Sequence, residues 1–152
     1  MTISLPTAAD TQAFGAELAV RLRTGDLVVL TGPLGAGKTA LTQGIGRGLG
    51  VAGPVVSPTF VIARVHRGGR VPLVHVDAFR LSSLDEVDDL DLDVDMGDSV
   101  TVVEWGAGLV ERLAESYLEV RIARDGHSDE RTVELVAHGR AWARRLAGAA
   151  TP

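Results

Sequence analysis

Apolar positions along the chain alternate between two spacings, and the changes of spacing outline its elements. Thr7-Ala-Ala-Asp10 has the form of a capping box, after which Phe14, Leu18 and Leu22 fall at i, i+4 and i+8 on one helical face. Gly25-Asp26 turns the chain into Leu27-Val-Val-Leu30, an unbroken apolar run of the kind a strand buried on both faces shows. A glycine-rich turn leads into a helix from about Lys38 to Leu49, with Leu41, Ile45 and Leu49 inward and Gly50 as its C-terminal cap. Residues 51–59 contain two prolines and read as a loop.

The second half repeats these signals. Phe60 to Val65 and Val71 to Val76 predict two strands joined by a hairpin at His66-Arg-Gly-Gly-Arg70. A short helix from about Ser82 to Leu90, a turn at Gly97-Asp98 and a buried strand at Val100-Thr-Val-Val103 follow. Gly108 to Ser116 is expected to be helical, with Leu109 and Leu113 inward. Leu118 to Ala123 and Thr132 to Ala137 alternate apolar and polar residues, which predicts a second hairpin around Asp125-Gly126. Trp142 and Leu146 mark a terminal helix, and the chain is expected to fray from Ala147. No repeat or linker intervenes. The expectation is one α/β domain over residues 1–147 with a frayed tail at 148–152, built on a mixed parallel/antiparallel central sheet with helices on its faces.

Composition narrows the function. With 152 residues the chain can bury a substantial core. It has no cysteine, which excludes disulfides, thiolate catalysis and cysteine-based zinc sites. The N-terminus lacks a basic region followed by an apolar stretch, and no apolar run reaches the length of a membrane helix, so a cytoplasmic protein away from membranes is expected. The formal net charge is −5 and no basic stripe is present. Direct grip on DNA or on an RNA backbone is therefore not expected, and any nucleic acid would be held by a partner. Of the 15 basic residues only Lys38 is a lysine. Its isolation points to a place that needs a compact ammonium rather than a forked guanidinium.

Lys38 lies in Gly32-Pro-Leu-Gly-Ala-Gly-Lys-Thr39, which fits G-x-x-x-x-G-K-[ST] and stands between an apolar strand and an amphipathic helix. That context is the one in which the pattern binds phosphate. Glycines let the backbone coil so that amide hydrogens face phosphate oxygens, and the helix contributes its positive end. Gly32, Pro33, Leu34, Gly35, Ala36, Gly37, Lys38, Thr39 and Ala40 are accordingly the candidate contacts for ATP. Lys38 would reach the β- and γ-phosphates and the Thr39 hydroxyl would ligate Mg2+. The expected architecture is then a P-loop NTPase-like three-layer α/β/α arrangement.

A magnesium site also needs a carboxylate at a strand end. Asp77 ends one apolar run and Glu104 another, and either taken alone could instead form a structural ion pair, with Arg80 a candidate partner. The eight acidic residues from Asp85 to Asp98 lack EF-hand spacing and read as a solvated helix face, with a docking surface for a basic partner as the alternative. His66, His75, His127 and His138 are dispersed without ligand spacing, and no metal is assigned to them. Trp105 either packs or walls the nucleotide pocket.

Four blocks occur in order: Gly32-Pro-Leu-Gly-Ala-Gly-Lys-Thr39, Ser57-Pro-Thr-Phe60, His75-Val-Asp-Ala-Phe-Arg80 and Val103-Glu-Trp105. Together they resemble the TsaE family, also called YjeE, over roughly residues 5 to 140. The resemblance implies a Mg2+-dependent ATPase that works with the TsaB–TsaD pair in making threonylcarbamoyladenosine. TsaD would transfer the threonylcarbamoyl group, from an adenylate made by TsaC, to adenosine 37 of tRNAs that read codons beginning with A. Hydrolysis would reset that complex, and tRNA would be met only through the partners. By the same resemblance Thr39 and Glu104 would ligate magnesium, and Asp77 would polarise water or the second metal shell. Ser57 to Phe60 would form a γ-phosphate-sensing loop with Thr59 as its contact, making Lys38, Thr59, Asp77 and Glu104 the catalytic set. Phe79 stands where the family has Tyr, and Ala107 where an acidic residue follows the Glu-Trp pair. Thr7 and Thr11 are candidates beside the adenine.

A small-molecule kinase of the P-loop class would need an acceptor pocket and an arginine-bearing lid, and the acidic stretch would repel a phosphorylated acceptor. A GTP-dependent switch would need Asn-Lys-x-Asp, whose lysine is not available. A nucleotide-dependent binding module without turnover is the remaining alternative, since no arginine finger in cis is evident, although Arg80 is a candidate. Weak ATPase activity alone and stimulation by partners are expected.

Overall fold

Among the described residues the expected strands and helices follow in the expected order, preceded by one strand that was not expected. The computed structural model describes residues 2–33, 36–51, 55, 63–77, 97–104, 115–124, 126 and 128–149. In chain order these form strand β1 (Thr2–Leu5), helix α1 (Ala8–Arg21), β2 (Leu27–Thr31), α2 (Lys38–Leu49), β3 (Ala63–His66), β4 (Leu73–Asp77), β5 (Val100–Glu104), β6 (Tyr117–Arg124), β7 (Arg131–His138) and helix α3 (Arg140–Ala149). The expected helices at 82–90 and 108–116 lie largely or wholly outside the described residues. α3 continues through Ala149, past the point at which the sequence pattern ended the domain. β1 had no counterpart in the sequence reading.

All seven strands join one sheet in the order β1-β7-β6-β2-β5-β4-β3. Its centre is parallel: β2 pairs with β5 and β6, and β5 pairs with β4. Both edges are antiparallel, through β3 on β4 and through β6, β7 and β1. Leu27, Val28, Val29 and Leu30 are each at most 1% exposed, as a central strand covered on both faces requires. On one face Val28, Leu30, Val102 and Val120 pack in a common core with Leu41 and Ile45 of α2 and Leu18 of α1. On the opposite face Leu27, Val29, Val74, Val76 and Val103 are buried as well.

Local chemistry sets the helix ends. The Asp10 N–H donates to Thr7 Oγ1 at 3.1 Å and the Thr7 N–H donates to Asp10 Oδ2 at 3.0 Å, closing the capping box of α1. Such a cap contributes about 1 kcal/mol. At the other end Arg70 donates to the carbonyls of Ala19 and Leu22 at 2.7 and 3.1 Å, the first of which also accepts from the Leu22 N–H. α1 and α2 approach so closely that a Cβ at Gly44 would strike the backbone of Gln12. Arg145 of α3 grips Asp26 through both carboxylate oxygens at 2.8 and 2.9 Å and lies 3.7 Å from the ring centre of Trp142. On the outer face of β6, Glu119 accepts from Thr31 Oγ1, Arg121 Nε and His138 Nε2 at 2.9, 3.0 and 2.8 Å.

Candidate functional site

β2, β5 and β4 are parallel neighbours, so their C-terminal ends emerge on one edge of the sheet. Glu104 closes β5 in register with Leu30 of β2 and with Asp77 of β4. β2 ends one residue later, at Thr31, and the chain passes through the glycine-rich turn into α2. The backbone therefore gathers Gly32, Pro33, Ala36 to Ala40, Asp77 and Glu104 at one edge, as open parallel sheets do at their binding crevices.

The turn needs its glycines. A Cβ at Gly32 would collide with the carbonyl oxygen of Ile122 on β6. Gly37, the N-cap of α2, has φ 107°, which L side chains rarely adopt. Because Gly37 has no side chain, α2 begins without a side-chain cap, and its first turn holds no acidic residue. The first amide hydrogens and the positive end of the helix dipole are thus left for a ligand. Lys38 sits at this end and is only 6% exposed. Its Nζ donates to the carbonyls of Gly32 and Pro33 at 2.6 and 2.9 Å. A buried ammonium beside the positive end of a helix is electrostatically costly, and an anion placed there would relieve both.

The acidic side of the site is also buried. Glu104 is 4% exposed, and its Oε2 lies 3.1 Å from Nε2 of His75, which has no exposed surface. His75 shares the face of β4 that Asp77 is in register to occupy, two residues earlier in the strand. No group of three or more His, Asp or Glu side chains able to hold a metal unaided occurs among the described residues. A hard cation that keeps waters and shares phosphate oxygens requires only one or two carboxylates, so this donor set suits Mg2+.

Known proteins resemble this chain over most of its length. The model of the family described as Threonylcarbamoyl adenosine biosynthesis protein TsaE matches residues 5–133. The chain belongs to the TsaE family. A TsaE of Streptomyces coelicolor is 59% identical over 135 residues, covering 85% of this chain and 91% of that protein. A TsaE of Bacillus subtilis is 40% identical over 131 residues, covering 86% and 81%. Both are called tRNA threonylcarbamoyladenosine biosynthesis proteins. The crystal structure of YdiB of Bacillus subtilis superposes with a TM-score of 0.75 at 30% identity, over 97% of this chain and 91% of that one.

Within this TsaE chain Gly32, Pro33, Ala36, Gly37, Lys38, Thr39 and Ala40 lie together at the start of α2, while Leu34 and Gly35 lie outside the described residues. Thr59 with the rest of Ser57–Phe60, Arg80, Phe79 and Trp105 also lie outside them. Asp77 is placed by its strand register. Thr7 and Thr11 belong to the first turn of α1. The Thr7 hydroxyl is part of the capping box, and Thr11 is 1% exposed with its hydroxyl 3.4 Å from the Thr7 carbonyl. Two neighbours were missed by sequence reasoning. His75 touches Glu104; its two-residue spacing from Asp77 could have placed it on the same strand face, but the contact itself depends on how β4 and β5 pair. Arg131, at the start of β7, lies against Gly37, where Nε would stand 3.4 Å from an added Cβ. That approach joins residues 94 positions apart, and no local pattern encodes it.

Proposed function

We propose that the protein is a Mg2+-dependent ATPase with a P-loop NTPase-like three-layer α/β/α fold. In this reading it acts with the TsaB–TsaD pair to form the threonylcarbamoyl group on adenosine 37 of tRNAs that read codons starting with A. The observation that carries it is the buried Lys38 ammonium at the uncapped start of α2, one strand away from the buried Glu104 carboxylate. Burial on both faces of β2 supports the three layers. Membership of the TsaE family supports the pathway, and a role beside tRNA implies a cytoplasmic site of action.

The residues present fit the nucleotide and its metal. The amides of Gly37 to Ala40 and the Lys38 ammonium would bind the phosphates, with Gly32 to Ala36 wrapping them. Thr39 and Glu104 would hold Mg2+, whose chemistry is to neutralise charge on the transferring phosphoryl group. Asp77, in register beside Glu104, would orient an attacking water or the metal's water shell. Thr59 would sense the γ-phosphate. Hydrolysis would reset the transferase complex, and the partners would supply charge stabilisation worth about 10³–10⁵ in rate.

Calorimetry with MgATP, followed by phosphate release with and without TsaB–TsaD, tests the proposal. Slow turnover alone and clear acceleration by the pair are expected. Glu104→Gln is expected to lower turnover by about 10²-fold or more while MgATP affinity changes much less. Absence of MgATP binding by the wild-type protein would overturn the reading.

A further inference from the structure

His75 is an expensive residue for the position it occupies. Its neighbours in β4, Leu73, Val74 and Val76, are apolar, and all four residues are at most 1% exposed. A valine there would fill a strand interior without a polar group to satisfy. The imidazole instead reaches along the sheet to the carboxylate of Glu104 at 3.1 Å, and among the described residues its Nδ1 has no hydrogen-bond partner. Among those residues the ring is held by its contact with Glu104. A carboxylate can only accept, so the tautomer that satisfies this contact carries its hydrogen on Nε2.

We infer that His75 is a positioning residue for magnesium: its Nε2–H holds Oε2 of Glu104 and fixes the orientation of the carboxylate that would ligate the cation. The inference rests on the ATPase reading above and deepens it. The register explains the arrangement. Glu104 pairs with Asp77 and His75 pairs with Val102, so His75 reaches Glu104 along the diagonal, a distance long side chains bridge. β4 therefore flanks Glu104 with two polar residues, His75 and Asp77, placed two positions apart on one face. Held this way, the carboxylate is aimed before the metal arrives. Without the imidazole, a carboxylate that is 94% buried would turn to whatever donor or water it could reach. A hydrogen-bonding partner behind a metal ligand typically changes metal affinity by about 10–100-fold.

The test compares the wild-type protein with His75→Leu, His75→Gln and His75→Asn. ATP affinity is measured by calorimetry in EDTA and across a Mg2+ titration, with thermal melting of the nucleotide-free protein alongside. Leu removes the donor. Gln carries its amide nitrogen close to where Nε2 stands, and Asn is polar but too short to reach. The Mg2+ concentration needed for half-maximal effect should rise about tenfold or more in His75→Leu and His75→Asn. It should stay within about threefold of wild type in His75→Gln, and affinity in EDTA should be unchanged in all three. In a Glu104→Ala background, His75→Leu should shift the Mg2+ requirement no further. If His75→Leu does not fold, His75→Asn and His75→Gln carry the comparison. Equal shifts in Asn and Gln variants, a wild-type Mg2+ requirement in His75→Asn, or full additivity with Glu104→Ala would overturn the inference. Wild-type protein that binds ATP with no Mg2+ dependence would instead remove the metal reading beneath it, a result distinct from the others.

Discussion

Replacing Lys38 by methionine separates the cost of the site from its use. The stem of the side chain is kept and only the ammonium is lost. Among its described contacts, Lys38 donates hydrogen bonds at 2.6 and 2.9 Å to carbonyls of the turn it belongs to. Charge-assisted bonds contribute about 1.5–3 kcal/mol each. Opposing them are the desolvation of an ammonium 6% exposed, a matter of several kcal/mol, and repulsion by the start of α2, about 0.3–1 kcal/mol. These terms oppose one another, so the unfolding free energy without ligand should change by no more than about 3 kcal/mol. Binding is different. Two charge-assisted contacts to the β- and γ-phosphates amount to about 3–6 kcal/mol, which is about 10²–10⁴-fold in Kd. Urea unfolding of the free protein and calorimetry with MgATP measure the two quantities. A variant that binds MgATP within tenfold of wild type would refute the assignment. So would one destabilised by more than about 3 kcal/mol that is still rescued normally by nucleotide, since Lys38 would then be a structural strut.

Gly44→Ala places a methyl group into the backbone of Gln12 at the α1–α2 contact. It should destabilise the protein by about 1–3 kcal/mol, seen as a lower urea midpoint at unchanged slope. Burial would raise the carboxyl pKa of Glu119, but hydrogen bonds from Arg121, His138 and Thr31 outweigh it and hold the group below the usual glutamate range. A depressed native pKa stabilises the fold above the unfolded value, near pH 4.3, and that stability is lost as pH falls through the native value. Glu119→Gln should therefore flatten the acid limb of melting temperature against pH below about pH 5, and an unchanged limb would exclude the network as its source.

Local order was legible and distant pairing was not. The turn from Gly32 to Thr39 and the helix Lys38–Leu49 with its Gly50 cap could be read because strand, glycines, lysine and amphipathic run are contiguous. Asp77 and Glu104 were visible as acids ending apolar runs, and both do end strands. β1 was missed because Thr2–Leu5 is too short for alternation to register, and its partner is β7, with Ile3 opposite Val133. α3 outran its expected end because the alanines after Leu146 continue a helix without contributing to an apolar stripe. His75 was read as one of four scattered histidines. Only the parallel register of β4 and β5 reveals that it meets Glu104, and register is a property of two strands that neither one's sequence states.

The sheet's two kinds of pairing divide the work. Parallel strands must all finish on the same edge, so β2, β4 and β5 deliver a phosphate turn and two acids to one place, with core packing behind them. β7 starts beside that edge at Arg131 and runs away from it, whereas β1, antiparallel to β7, runs toward it and ends with Leu5 opposite Arg131. Arg131, at the first residue of β7, lies against Gly37. Changes toward the far end of β7, at Val136 to His138, should lower stability while leaving nucleotide affinity intact. Changes at the C-terminal ends of β2, β4 and β5 should do the reverse. A substitution at Ala137 that weakened MgATP binding more than it weakened the fold would contradict this division, because Ala137 pairs with Leu118, which lies beside Val28 in the interior of the sheet.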